Sequence, residues 1–143
     1  MNQLQNLEIV QENRAAFRET MHEFGITEEY ISLLVETFYS RIREHQELGP
    51  IFNHTIDGNW EIHLAKMKTF WSSIALKTNT YKGKPMPAHQ KLSGVSHKNF
   101  EDWLSLFRQT LEDTAPNEKV VEVFMCHAHT IAPRLESMMK IVD

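Results

Sequence analysis

The chain has few of the features that mark several large classes of protein. Its 143 residues include one cysteine, Cys126, so no disulfide can form within it. No lysine- or arginine-rich run could follow a phosphate backbone, and 15 basic residues stand against 19 acidic ones, so nucleic acid is a poor candidate partner. No window approaches the roughly 20 apolar residues that cross a bilayer, and the first residues lack the apolar core of a signal peptide. We therefore expect a cytoplasmic protein with no membrane partner.

Glycine and proline are also scarce, with five of each, and they cluster in a few places. No run alternates apolar and polar residues, as a strand on one face of a sheet would. Apolar residues instead recur at spacings of three and four, which is typical of amphipathic helices. The sequence therefore predicts a single all-α domain over residues 1–143, with an N-terminal helical arm over 1–25 and four principal helices that cross to bury their apolar faces.

Capping and turn residues predict where the first helices begin and end. The arm is expected over about residues 4–23 and is closed by Gly25, a residue type that commonly ends a helix. Thr27 is suited to cap the next helix, which is predicted to end near Glu47. Residues 48–50, Leu-Gly-Pro, are predicted to turn the chain and bring an aromatic residue back toward the core.

Similar signals divide the second half of the chain. A helix is predicted to start at residues 57–59, and residues 77–88 form a polar, proline-containing loop that leads into a short helical segment around His89. Ser96 is suited to cap the following helix. A final long helix is predicted over about residues 117–140. With the arm, these assignments make five helices and one loop.

Three polar aromatic residues lie within the apolar stripes of these helices. They are Tyr39, His63 and Trp103, and a further histidine, His89, follows the proline-containing stretch. Any one of them alone is more often an ordinary core or loop residue. A buried hydroxyl, indole or imidazole without a partner costs roughly 1 to 3 kcal/mol, so three on inward faces need partners or a purpose. Their joint occurrence predicts a buried ligand cage.

A second cluster of potential metal ligands lies on the last helix. Cys126 and His129 are three residues apart and share a helix face that can hold zinc or copper. Two ligands are too few, since a structural zinc site takes about four and no partner motif stands elsewhere. Chance placement is the better explanation of this pair.

A series of short motifs in fixed order makes the chain resemble the truncated haemoglobins, and specifically their third group. The resemblance covers about residues 27–113 and continues more weakly through the last helix. Two spacings are the most specific, since 26 residues separate His63 from His89 and 14 separate His89 from Trp103. The motifs are FY at 38–39, LGPIF at 48–52, WxxH at 60–63, FW at 70–71, YxGxP at 81–85, the His89 segment and FxxWLxLF at 100–107.

This resemblance implies a fold, a cofactor and a set of site residues. The fold is a two-over-two helical sandwich around haem b, with His89 as the proximal ligand of the iron. Tyr39, Trp103 and His63 are implied on the distal side, where a phenol and an indole can donate hydrogen bonds to a polarised ligand and His63 is a third donor or a gate. Residues expected to contact the cofactor are Phe52, Lys66, Met67, Phe70, Trp71, Tyr81, Leu92, His97 and Phe107. The apolar members of this set also fit ordinary core positions, and the polar members equally fit solvated surface positions.

The leading hypothesis is a haem protein that binds dioxygen and other small diatomic molecules. Several donors in the cage favour slow release, which suits ligand or redox chemistry better than transport. The alternative is a peroxidase-like or nitric-oxide-detoxifying enzyme, which would need an electron donor such as a reductase. A third hypothesis is a haem-free helical scaffold or sensor module in which the polar aromatic residues only pack, and it predicts no haem absorption.

Overall fold

The computed structural model describes residues 3–78 and 95–138, with side chains for residues 11–78 and 95–136. Within these ranges every regular element is a helix, which confirms the all-α prediction. The six helices are α1 (Gln3–Phe24), α2 (Glu28–Glu44), α3 (Leu48–Ile56), α4 (Trp60–Ala75), α5 (His97–Thr114) and α6 (Glu118–Met138). Most of the loop predicted after α4 lies outside the described residues, and so do Tyr81, His89 and Leu92.

The predicted caps begin helices α2 and α5. The Thr27 side chain accepts a hydrogen bond from the backbone N–H of Tyr30, with 3.0 Å between the two atoms. Ser96 and Asn99 form a reciprocal capping box, in which each side chain accepts from the other residue's backbone N–H. A cap of this kind typically stabilises a helix by about 1 kcal/mol.

The predicted turn at residues 48–50 is wrong, because these residues are the first turn of α3. Pro50 is compatible with this position, since the first N–H groups of a helix have no partner within the helix. Gly49 allows a close approach between helices: a Cβ atom on it would lie 2.7 Å from the carbonyl oxygen of Arg43, at the end of α2. The chain therefore folds back tightly onto α2 through a helix, and the described residues hold six helices where five were predicted.

Helices α2 and α4 run antiparallel. The start of α2 meets the end of α4, where Ser72 donates to the Glu28 carboxylate over 2.6 Å. The end of α2 meets the start of α4, where the Arg43 guanidinium lies over the Trp60 ring. Helix α5 packs against α2 and α6, and α6 also packs against α4. The pair α2 and α4 thus faces the pair α5 and α6 across a core that includes the fully buried rings of Phe38, Phe107 and Phe124.

The arm α1 joins the rest of the molecule at its C-terminal end. Arg18 donates from Nε to the carbonyl oxygen of Leu76 over 3.2 Å. Asn117 donates from Nδ2 to the carbonyl oxygen of Phe24 and accepts from Val120 N–H with its Oδ1, so one side chain ties α1 to the start of α6. Residues 11–16 of the arm are exposed.

Candidate ligand site

Tyr39 lies on the inward face of α2, in register with the buried residues Val35, Phe38 and Ile42. Its side chain is 5 % exposed, and its ring meets those of Phe52, Trp60 and His63. Burial raises the pKa of the Tyr39 phenol well above its ordinary value, because the charged phenolate would lose its hydration. At neutral pH this side chain therefore keeps its proton and can donate a hydrogen bond.

His63 on α4 meets Tyr39 directly. The centroids of the two rings are 5.0 Å apart and their planes are nearly perpendicular, at 86°. The Nε2 atom of His63 is buried although the residue as a whole is only half-buried. The antiparallel arrangement of α2 and α4 thus brings together two of the three residues predicted for the distal side.

Trp60 forms the outer wall of this arrangement. Its ring lies 5.7 Å from that of His63 at 88°, and 6.1 Å from that of Tyr39. Its indole N–H donates to Asn53 Oδ1 of α3 over 3.0 Å, and the Arg43 guanidinium lies 4.7 Å from its ring centroid. Sequence reasoning placed Trp60 in a motif but gave it no role, since neither partner could be recognised from helix periodicity.

Trp103 on α5 is half-buried and lies on the other side of Phe38 from Tyr39. Phe38 is 5.2 Å from each of the two rings, measured between centroids. Trp103 stacks on Phe107 at 5.3 Å and 18°, and Phe107 in turn stacks on Trp71. The structure therefore brings Trp103 into the same aromatic cluster as Tyr39 through Phe38.

An apolar cavity opens between α3, α5 and α6 beside this cluster, with about 530 Å³ of atom-free space when the open solvent at its mouth is included. Phe52 lines the cavity and also touches Tyr39, so the cavity and the Tyr39–His63 pair are adjacent. The lining residues are Leu48, Ile51, Phe52, Val95, Asn99, Phe100, Trp103, Ile131, Ala132 and Leu135.

Glu47, which precedes α3, links the α3 wall of the cavity to the α5 wall. Its carboxylate accepts from Lys98 Nζ over 3.0 Å and from Asn99 Nδ2 over 3.3 Å, at the start of α5. The hydrogen bond from Lys98 lowers the pKa of Glu47 and keeps the carboxylate charged. This contact sets the separation of α3 and α5 at one end of the cavity.

The predicted apolar contact residues divide into two groups. Phe52 lines the cavity, whereas Trp71 and Phe107 are buried in the core where the helix pairs meet. Met67 and Phe70 are half-buried on α4 and pack against that core. Sequence reasoning missed several cavity residues. The spacing of Leu48, Ile51 and Phe52 is typical of one helix face, but this signal was overlooked because residues 48–50 were predicted to form a turn. The remaining cavity residues were predicted only as members of helix faces, because periodicity does not show which face borders a cavity.

Two of the predicted polar contact residues, Lys66 and His97, lie at the surface. Lys66 is exposed on α4. His97 is also exposed, and its Nδ1 pairs with the Glu136 carboxylate, which links α5 to α6. Among the described residues there is no group of three or more metal-ligating side chains, so Cys126 and His129 have no third ligand there. The helices of this part of the chain also include none long and apolar enough to span a membrane.

Comparison with known proteins decides the family. The bacterial-like globin family model matches residues 15–136. The group 3 truncated haemoglobin of Campylobacter jejuni is 36% identical over 117 residues, which cover 80% of this chain and 91% of that protein. The chain belongs to the bacterial-like globins, and within them to the group III truncated haemoglobins.

Solved structures give the same result for the fold of this globin. The crystal structure of the group III truncated haemoglobin from Campylobacter jejuni superposes with a TM-score of 0.74, covering 80% of this chain and 92% of that one at 36% identity. A tryptophan-to-leucine variant of the group II truncated haemoglobin from Bacillus anthracis gives 0.68, with 85% and 90% covered at 25% identity. The all-α two-over-two prediction is confirmed. As a globin, the protein binds haem and small diatomic ligands.

Proposed function

We propose that this globin holds b-type haem through His89 and binds dioxygen and other uncharged diatomic molecules in a distal cage of Tyr39, His63 and Trp103. The observation that carries the proposal is the edge-on meeting of Tyr39 and His63 next to an apolar cavity. A purely structural core would not need a phenol and an imidazole facing each other beside unfilled apolar space.

The chain's own residues fit the cofactor. The cavity wall is apolar and aromatic, which suits the faces of a porphyrin. Val95 lines this wall, and the proposed iron ligand His89 precedes it by six residues in the sequence. His89 would hold the haem iron, and the bound haem would supply a centre able to bind a gas molecule. Tyr81 and Leu92, beside His89 in sequence, and Lys66 and His97 at the surface remain proposed contacts.

The distal residues supply hydrogen bonds. Because its pKa is raised, Tyr39 stays protonated and donates from its hydroxyl group to a polarised ligand. Trp103 can only donate, whereas His63 can donate or accept. Donors in a dry pocket hold a partly negative ligand strongly and slow its release. This arrangement suits ligand or redox chemistry in the cytoplasm better than transport, with electrons from a reductase.

Visible absorption spectra test the proposal. The purified chain is compared with a His89→Gly variant in ferric, ferrous and ferrous carbon monoxide forms. We expect a Soret band that shifts with carbon monoxide and is lost or strongly perturbed in the variant. No Soret band even after haemin is added would overturn the proposal, and an unchanged band in His89→Gly would remove His89 as the iron ligand.

Peroxidase-like turnover is a second candidate, favoured by the position of His63. Its imidazole can accept and return a proton at Nε2, which is buried within the cage beside Tyr39. Peroxide-dependent oxidation of a phenolic dye tests this activity, with a His63→Leu variant as the comparison. Turnover no faster than that of free haemin would reject it.

A further inference from the structure

A second, polar cleft lies between α2 and α4. It encloses about 800 Å³, including the open space at its mouth, and no described residue lines both this cleft and the apolar cavity. Two of its lining residues, Tyr39 and Trp60, also face His63 in the distal cage. These two rings therefore separate the cleft from the cage.

Trp60 is held in this partition by two contacts on different helices. Asn53 of α3 accepts its indole N–H, and the exposed Arg43 of α2 covers its ring. Both rings belong to the buried core, but Tyr39 also meets the rings of Phe38 and Phe52, whereas Trp60 has the side chain of the exposed Arg43 over its ring. If the partition opens, the ring that moves is Trp60.

We propose that small uncharged molecules reach the distal cage through this cleft, with Trp60, held by Asn53 and Arg43, as the gate. This inference rests on the proposed function. Among the described residues, the cleft lining carries Glu36, which pairs with Lys68, and Glu44 together with the guanidinium of Arg43, so these charges balance and the cleft suits uncharged molecules. Motion of the exposed Arg43 side chain uncovers the ring of Trp60, which otherwise belongs to the buried core.

Carbon monoxide rebinding after flash photolysis tests the gate on the ferrous, haem-loaded protein. Arg43→Ala should raise the association rate constant about two- to fivefold, the factor that an exposed cation–π contact is worth. Asn53→Ala, which removes only the hydrogen-bond acceptor, should raise it about two- to tenfold. Trp60→Phe keeps a ring in place without the N–H and should act like Asn53→Ala.

Equilibrium carbon monoxide affinity distinguishes a gate from a structural role. A gate changes association and dissociation by the same factor, so the affinity should stay constant while both rates rise. Lys119→Ala is the matched control, because Lys119 makes a similar cation–π contact over Phe24, 5.7 Å away and outside the cage. That variant should rebind carbon monoxide at the rate of the unsubstituted chain.

Two results would overturn the gate while leaving the proposed function intact. One is that Arg43→Ala, Asn53→Ala and Trp60→Phe all bind carbon monoxide with unchanged association rate constants. The other is that the equilibrium affinity for carbon monoxide changes together with the rate constants. An unsubstituted chain that shows no carbon monoxide-dependent Soret shift would overturn the proposed function and the gate together.

Discussion

At the scale of single residues, the site depends on a proton that burial keeps on Tyr39. The ring is surrounded by other aromatic rings, and ionisation of its hydroxyl group is opposed by the loss of hydration. A phenol is protonated over the physiological pH range, and burial extends that state to higher pH. His63 differs, because an imidazole can serve as either donor or acceptor and its role depends on which nitrogen carries the proton.

Tyr39→Phe should therefore speed dioxygen release by about five- to a hundredfold, the factor that corresponds to losing a buried hydrogen bond of about 1 to 3 kcal/mol. Stopped-flow displacement of dioxygen by carbon monoxide measures the rate. Tyr30→Phe is the matched control, since Tyr30 is equally buried but its hydroxyl group bonds Thr114 outside the cage. An off-rate unchanged in Tyr39→Phe would remove Tyr39 from the mechanism.

A second residue, His127 on α6, gives a prediction about stability and pH. Burial lowers the pKa of His127, so the unfolded chain binds more protons than the folded one once pH falls below the ordinary value of about 6.5. The free energy of unfolding should therefore fall as pH drops through that value, and His127→Gln should lessen this fall. Urea unfolding at pH 7 and pH 5.5 measures both.

The neighbouring His129 provides the comparison, because it lies on the same helix but is exposed. His129→Gln should leave the pH dependence as it is in the unsubstituted chain. If both substitutions lessen the fall equally, burial of His127 is not its cause.

At the scale of helices, the ends of α3 and α5 shape the cavity. Gly49 lets α3 fold back against α2, and Glu47 joins the start of α3 to Lys98 and Asn99 of α5. Asn99 belongs to the capping box of α5 and also lines the cavity. Helix capping and cavity geometry therefore depend on the same few residues.

Ser96→Ala should lower the free energy of unfolding by about 1 kcal/mol and also speed the loss of haem, because it loosens the turn that carries Val95 and Asn99. Transfer of haem to an acceptor apoprotein measures the loss. Thr27→Ala removes an equivalent cap from α2 and should cost similar stability without speeding haem loss, since Thr27 does not line the cavity. Equal haem loss in the two variants would contradict this account.

At the scale of the whole molecule, aromatic rings join the two helix pairs. Phe107 of α5 stacks between Trp71 of α4 and Trp103, and it also meets Phe38 of α2. The arm α1 is attached in a different way, through backbone carbonyls and through two cation–π contacts, Lys77 over Phe17 and Lys119 over Phe24. Of its side chains, Met21 packs against the core. Cooperative folding should therefore depend on the core and only weakly on the arm.

Two phenylalanine truncations test this difference. Phe107→Ala should destabilise the protein by about 3 to 5 kcal/mol, because a fully buried ring leaves a cavity. Phe17→Ala should cost only about 1 kcal/mol, close to the value of its cation–π contact. Urea unfolding followed by far-ultraviolet circular dichroism measures both, and similar losses would show that the arm belongs to the cooperative core.

Local signals in the sequence were enough for the helices and their caps. Thr27 and Ser96 act where their side chains predicted, because a cap depends only on residues up to three positions away. The inward positions of Tyr39 and His63 followed from helix periodicity, which requires no knowledge of the partner helix. Order and spacing of short motifs indicated the family, which comparison with known proteins confirmed.

Long-range contacts decided the rest. Leu48-Gly49-Pro50 has the composition of a turn, yet it forms a helix because Gly49 permits close packing against α2. The position of Trp60 in the cage wall depends on its contacts with Arg43 of α2 and Asn53 of α3, which lie in other helices of the fold. The sequence by itself thus determined which faces are buried, since periodicity is local. Only the tertiary structure decided which buried faces border a cavity, because that depends on how helices distant in sequence pack together.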